Sequence, residues 1–394
     1  MRAWRLEFPS MRAFTFPLLP LLLAAQQSEK PELPSTYSSK HYEIKTSATK
    51  EQADDLLEYM ELVFDTYMKL LKPDDPVAAE KARNTILLYK NREEFLASGA
   101  PKSAGAYYSL STKNLVGYYD MVTMRPFFAH EGMHQFTDLT SKNYRDFPMW
   151  FSEGIADCIG NNEVRNKKLY LCLKGGTIAR GRLPIIQDAI KAGKAYKLED
   201  LLALKPKPFM ENAGLCYAQS WSFCHFLITY PDMEDRNQQV PSGKFRKNVA
   251  LYYERIRLGG SSHREAWDEA FKGIPVDGLE ELWKKYVMKF EPARALGFLG
   301  KDLTSEQSIE IGLKDGRLGI RVTQIVPEGV GPKAGLAVGD VIISFDTKTF
   351  DDEPLNQLRS WMQAIPYGRR VKLVVRREGK DVELWVTWEA PKKN

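Results

Sequence analysis

Apolar and polar positions change their period along this chain, and each change marks a boundary. HYEIKTS, from His41, alternates with period two, as a strand buried on one face does. ATKEQADDLLEYMELVFDTYMKLLK then sets Leu56, Met60, Val63 and Tyr67 on one helical stripe, and NTILLYK returns to a β pattern. AGAYYSLSTKNLVGYYDM holds two short aromatic strand candidates, Ala104 to Tyr108 and Val116 to Tyr119, joined by a polar turn. From Met133 to about Phe290 most apolar spacing is helical, notably in YAQSWSFCHFLITY, ALYYERIRL and LEELWKKYVMKF. EPARALGFLGKDLTSE breaks that regime, and beyond it short β-runs alternate with glycines. The pattern predicts an α+β chain: a domain over 41–292 with a β-rich first part and a helical second part, a linker at 293–306, and a small β-rich domain over 307–390.

The N-terminus obeys none of these periods. Arg2, Arg5 and Arg12 precede an apolar run, Ala13 to Ala25, that ends in small residues and then turns polar. That is the order of a secretory signal, so residues 1–25 are expected to be one. The segment 26–40, rich in Ser, Pro and charge, is expected to be a flexible exit. The run is short for a membrane span and is broken by Pro17 and Pro20; removal is the expectation, an uncleaved anchor the alternative. The protein is therefore expected in a periplasm or outside the cell, meeting a membrane only if that segment is retained.

Composition narrows the function classes. The formal net charge of +5 is spread over 394 residues, with no basic motif interleaved with aromatics, so a nucleic-acid partner is not expected. The four cysteines, Cys158, Cys172, Cys216 and Cys224, form no close CxxC pair and no zinc-ribbon pattern. Cys216 and Cys224 cannot bridge if they share one continuous helix, and the connectivity stays open.

Chemistry concentrates in FFAHEGMHQFTD. On a helix His130 and His134, at i and i+4, project from one face and can present imidazole nitrogens to a single ion, with Glu131 beside them. Zinc held so acidifies a bound water, whose proton an adjacent carboxylate can carry to a leaving group. Eighteen residues then separate His134 from Glu153, in the apolar segment FPMWFSEGIAD. A carboxylate in such a run is costly to bury unless paired or metal-bound, which makes Glu153 the candidate third ligand. Pro148 is placed to open a helix that would set Glu153 and Asp157 one turn apart.

These residues resemble the gluzincin pattern of zinc metallopeptidases, and their order, from ILLYKNREEF through YAQSWSFCHFL, is similar to the peptidase MA-like branch over roughly residues 36–292. The resemblance implies a zincin-like fold and one zinc ion on His130, His134 and Glu153. It further implies Glu131 as general base, Asp157 as the partner that orients a zinc histidine, and Tyr217 as donor to the oxyanion. His225, two turns beyond Tyr217, is the alternative donor that the sequence itself offers. It also implies that the strand pair before the histidines edges the cleft and receives an extended peptide or protein substrate. No reader of a free amino terminus precedes HEGMH, so an endopeptidase or oligopeptide hydrolase is expected rather than an exopeptidase.

The run SIEIGLKDGRLGIRVTQIVPEGVGPKAGLAVGDVIISFDTKTF resembles a bacterial-type PDZ domain, most closely from Val326 to Asp346. PDZ domains take an extended C-terminal peptide as an added strand, its carboxylate caught by a loop of backbone amides. The expected counterpart of that loop is Ile311, Gly312 and Leu313, preceded by Glu310. The whole then reads as an exported zinc metallopeptidase whose PDZ domain positions substrates. The rival readings are a catalytically silent scaffold and a zinc hydrolase of a non-peptide amide.

Overall fold

The computed structural model describes residues 30–72, 84–102, 104–120, 124–165, 167–171, 177–231, 239–240, 242–290, 294–314, 316–351 and 353–389. The expected signal, 1–25, and Cys172 lie outside them. Among the described residues no helix is long and apolar enough to cross a membrane.

A five-stranded sheet opens the fold, from β1 (Ser35–Ser38), β2 (Tyr42–Thr46), β3 (Asn84–Tyr89), β4 (Ala106–Ser109) and β5 (Asn114–Tyr118) in the order β1-β2-β3-β5-β4. The three central strands are parallel; β1 and β4 pair antiparallel at the two edges. The segment read as a flexible exit therefore carries a strand: Ser35 to Ser38 alternate half-buried and exposed, enough to pair with β2.

The long helix Lys50–Leu71 starts at a Thr49/Gln52 capping box and buries the expected stripe of Leu56, Met60, Val63 and Tyr67 against the sheet's core. Its tyrosines also fix the next helix, Arg125–Thr140, which carries both motif histidines. Tyr59 Oη donates to Arg125 O and Tyr67 Oη to Ala129 O, at 2.9 and 2.8 Å. Buried Gln135 ties the same helix to the sheet, its amide donating to Thr85 O on β3 and Lys113 O before β5. Gly132, between the histidines, costs helix propensity but allows this contact. A Cβ there would lie 2.7 Å from Tyr67 Oη and 2.9 Å from Met60 Cε.

Pro148 caps the helix Met149–Gly160, as expected, and beyond it the described residues of the domain are helical except for one hairpin, β6 (Asn162–Arg165) with β7 (Lys168–Leu171). The helix Ala213–Thr229 contains both Cys216 and Cys224; these and Cys158 are buried free thiols.

A second core forms around Leu296, Ile320, Ile342, Phe345, Leu373 and Val386. Its sheet consists of β8 (Phe298–Asp302), β9 (Ile320–Ile325), β10 (Val341–Phe345), β11 (Lys348–Thr349), β12 (Val371–Arg377) and β13 (Lys380–Val386). The order is β13-β12-β10-β9-β8, with β11 on β10. The stretch expected to be a linker, 293–306, thus supplies β8 and the start of the Ser305–Glu310 helix. Leu296 is 1% exposed in this core, and β8 pairs antiparallel with β9. The closing hairpin turns at Glu378 and Gly379, both at positive φ, as a two-residue turn between right-twisted strands requires.

Candidate active site

Two helices bring the ligand candidates together. The helical repeat puts His130 and His134 on one face of Arg125–Thr140, and the neighbouring helix Met149–Gly160 turns Glu153 toward them. His130 Nε2 and His134 Nε2 are 3.2 Å apart; Glu153 Oε2 lies 3.4 Å from the first and 3.5 Å from the second. One donor atom from each side chain falls within 4.8 Å of the others, a group able to hold a metal ion.

The remaining atoms of these side chains are already engaged. His130 Nδ1 meets Asp157 Oδ1 at 3.0 Å, and the other Asp157 oxygen accepts from Arg182 Nε at 2.9 Å. His134 Nδ1 meets Tyr144 Oη at 2.9 Å and Ser152 Oγ at 3.3 Å. With both Nδ1 atoms protonated toward these partners, two Nε2 lone pairs and a carboxylate oxygen face one another. Such a grouping is repulsive until a proton or cation enters it. Two imidazole nitrogens and a carboxylate oxygen are the donor types that suit zinc.

Electrostatics favour positive charge at this point. Burial disfavours a charged His130, but Asp157 and Glu153 outweigh it and raise its pKa well above the ordinary histidine value. Burial likewise works against an ionised Glu153, yet the two imidazoles hold its pKa well below the carboxylate range. The imidazoles thus favour the ionised form of this carboxylate.

Glu131 stands beside the cluster, and the backbone N–H of Tyr108 on β4 donates to its Oε2 at 2.9 Å. Strand β4 is one of the two sheet edges among the described residues, and this N–H points away from β5. The Tyr108 hydroxyl reaches back to Asp138 Oδ2, which Lys113 Nζ also holds, so the strand is latched to the histidine helix. Tyr217 approaches from Ala213–Thr229. Burial, followed by the charge of Glu153 and a hydrogen bond to it, raises the pKa of its hydroxyl far above that of a free phenol. The Arg182 guanidinium lies over its ring, 4.7 Å from the centroid. His225 is elsewhere: its Nδ1 pairs with Tyr286 Oη and its ring packs edge-on against Phe290.

Sequence reasoning missed Tyr144, Arg182 and Asp138; Tyr108 lies in the strand expected to edge the cleft, but its bond to Glu131 has no signal in the sequence. Tyr144 comes from a polar turn and Arg182 from an amphipathic helix, and neither has a local signature. Ser152 had one, as the polar residue beside Glu153 in an apolar run.

The expected PDZ loop is displaced. Ile311, Gly312 and Leu313 form the turn after the Ser305–Glu310 helix, where Ile311 O accepts from Arg376 Nη1 and Leu313 is buried. They precede no edge strand. The residues that do are Leu296 and Gly297, the latter at φ +89°, leading into edge strand β8. Across from β8 lies the helix Pro354–Ala364, whose Leu355 N–H donates to Asp302 Oδ1. Leu-Gly-Phe at 296–298 is thus the loop that geometry offers.

A family model described as PDZ domain matches residues 321–377, so this mixed α+β chain carries a C-terminal PDZ domain. Among curated proteins it is similar to the periplasmic serine endoprotease DegP of Salmonella typhimurium, 33% identical over 110 residues, 28% of this chain and 22% of that protein. A probable periplasmic DegP-like serine endoprotease of Rickettsia conorii is 36% identical over 92 residues, 23% of this chain and 17% of that one. The chain thus spans 22% or less of the length of these two relatives, and the similarity covers the PDZ region alone. Among solved structures, the HtrA-type protease AlgW with decapeptide is 27% identical, covering 30% of this chain and 36% of that chain at a TM-score of 0.22. An aminopeptidase N family protein from Idiomarina loihiensis is 14% identical, covering 91% of this chain and 67% of that one at a TM-score of 0.36.

Proposed function

We propose that this protein is an exported zinc metallopeptidase of the gluzincin type, acting as an endopeptidase, with a zincin-like catalytic domain followed by the PDZ domain. The observation that carries the reading is the convergence of His130 Nε2, His134 Nε2 and Glu153 Oε2 beside the Glu131 carboxylate, with each histidine's other nitrogen already held.

His130, His134 and Glu153 would hold the ion, and Asp157 keeps the His130 ring in place. Zinc, when bound, supplies a Lewis acid that polarises a carbonyl and acidifies water. Glu131 accepts the proton of the attacking water and delivers it to the departing amine nitrogen. Tyr217 donates to the oxygen that gains negative charge in the transition state. The outer edge of β4 supplies backbone groups for an extended chain, which favours a peptide over an isolated amide as substrate. The PDZ groove between β8 and the Pro354–Ala364 helix would take a C-terminal peptide, with Leu296 and Gly297 at its carboxylate end.

A mixed peptide library incubated with wild type and with Glu131→Gln, each assayed for zinc, tests the reading. Cleavage by wild type and its loss in a mutant that keeps zinc supports it. Zinc in both and cleavage by neither would favour the silent scaffold.

A further inference from the structure

The turn joining the two ligand helices carries Tyr144, in the short helical turn Tyr144–Asp146. Its hydroxyl lies 2.9 Å from His134 Nδ1 and 3.1 Å from Ser152 Oγ, and that serine immediately precedes Glu153. The phenol ring stands edge-on to the His134 imidazole, with centroids 6.1 Å apart. Behind it packs Phe147, which is 7% exposed and lies against Phe151 and Tyr253. The turn itself is pinned by Asn143, whose side chain accepts from Arg145 N and donates to Asp146 Oδ1. The hydroxyl is therefore placed from the protein core.

We propose that Tyr144 is the positioning residue of His134, with Ser152 as its relay, so that the turn between the ligand helices is part of the metal centre. The inference rests on the zinc reading above. An imidazole that ligates through Nε2 carries its proton on Nδ1 and needs an acceptor there. Tyr144 Oη is the nearer acceptor, and its own proton then points to Ser152 Oγ. That order of donors fixes the tautomer of His134 and the plane of its ring. The two histidines are consequently held by different chemistry: His130 by a carboxylate that Arg182 braces, His134 by a neutral hydroxyl pair. A second ionised partner would add negative charge to a site already bordered by Glu131, Glu153 and Asp157. A phenol supplies the acceptor without it.

Removing only the hydroxyl, in Tyr144→Phe, leaves the ring packing and gives His134 Nδ1 a single, longer contact to Ser152. Zinc affinity, measured by chelator competition on the full chain, is expected to fall about tenfold. Ser152→Ala should cost less, and the double variant more than Tyr144→Phe alone. Tyr253→Phe removes another buried hydroxyl, one that meets Thr140 and no ligand residue. It should leave zinc affinity unchanged even if the protein unfolds at a lower temperature. Cobalt-loaded Tyr144→Phe should also show a shifted visible spectrum, which a merely structural role would not produce. Affinity of Tyr144→Phe within twofold of wild type, with an unchanged cobalt spectrum, overturns the proposal while leaving the zinc reading intact. Failure of the wild type to bind stoichiometric zinc overturns both.

Discussion

The backbone N–H of Tyr108 donates to Glu131 Oε2 at 2.9 Å, so an edge strand and a carboxylate beside the histidines hold one another in register. The strand keeps this position through its own side chain, because the Tyr108 hydroxyl and Lys113 both grip Asp138 on the histidine helix. Asp138→Asn weakens both grips without touching a ligand candidate. Steady-state kinetics on an extended peptide should show KM raised several-fold, with zinc content unchanged.

Gly132 gives a prediction with opposing terms. Alanine would gain about 1 kcal/mol of helix propensity, but its Cβ would press on Tyr67 Oη and Met60 Cε. Overpacking of this kind costs roughly 1–3 kcal/mol. Gly132→Ala should therefore lower Tm. Adding Tyr67→Phe, which removes the closest atom, should destabilise by less than the sum of the two single changes in a double-mutant cycle.

Stability should depend on pH through Glu61. Burial pushes its carboxyl up, but hydrogen bonds from Ser39, the His41 N–H and the His41 ring outweigh burial and hold the group below its ordinary value of 4.5. A carboxylate with a depressed folded-state pKa contributes stability above its unfolded pKa, and loses it as pH falls through the folded value. Glu61→Gln should consequently destabilise at pH 7, and the gap to wild type should narrow below about pH 4.5. Urea unfolding across that range checks the sign.

Metal removal should be visible without any substrate. Zinc at about a hundred times its Kd stabilises a folded protein by about 2.7 kcal/mol, roughly 5–10 °C in Tm for a domain of this size. A chelator should lower Tm by that order in wild type, and by far less in Glu153→Ala.

The grouping of His130, His134 and Glu153 was legible as a candidate because its spacing is local: His130 with His134, and Glu153 with Asp157, each pair lie one turn apart on a single helix, and a four-residue period brings them to one face. Asp157 apart, the residues around it were not. Tyr108 is 23 residues from Glu131, and Arg182 is 25 from Asp157, and only the packing of the sheet edge and of the Thr177–Lys191 helix brings them together. The PDZ loop was misplaced because Leu296-Gly297-Phe298 and Ile311-Gly312-Leu313 are both apolar-glycine-apolar triplets. Pairing alone tells which one leads into an edge strand. Glycines also hid β8, since Gly297 and Gly300 break the alternation that marks a strand.

The central claim is that His130, His134 and Glu153 together hold one zinc ion. X-ray absorption on the purified full-length protein, with metal content measured on the same sample, tests it most directly. One zinc per chain is predicted, with two imidazole nitrogens at about 2.0–2.1 Å, oxygen in the remaining positions and no sulfur. Both the stoichiometry and the imidazole signal should be lost in His134→Ala and kept in Glu131→Gln. Zinc bound through sulfur, or undiminished in His134→Ala, would contradict the account.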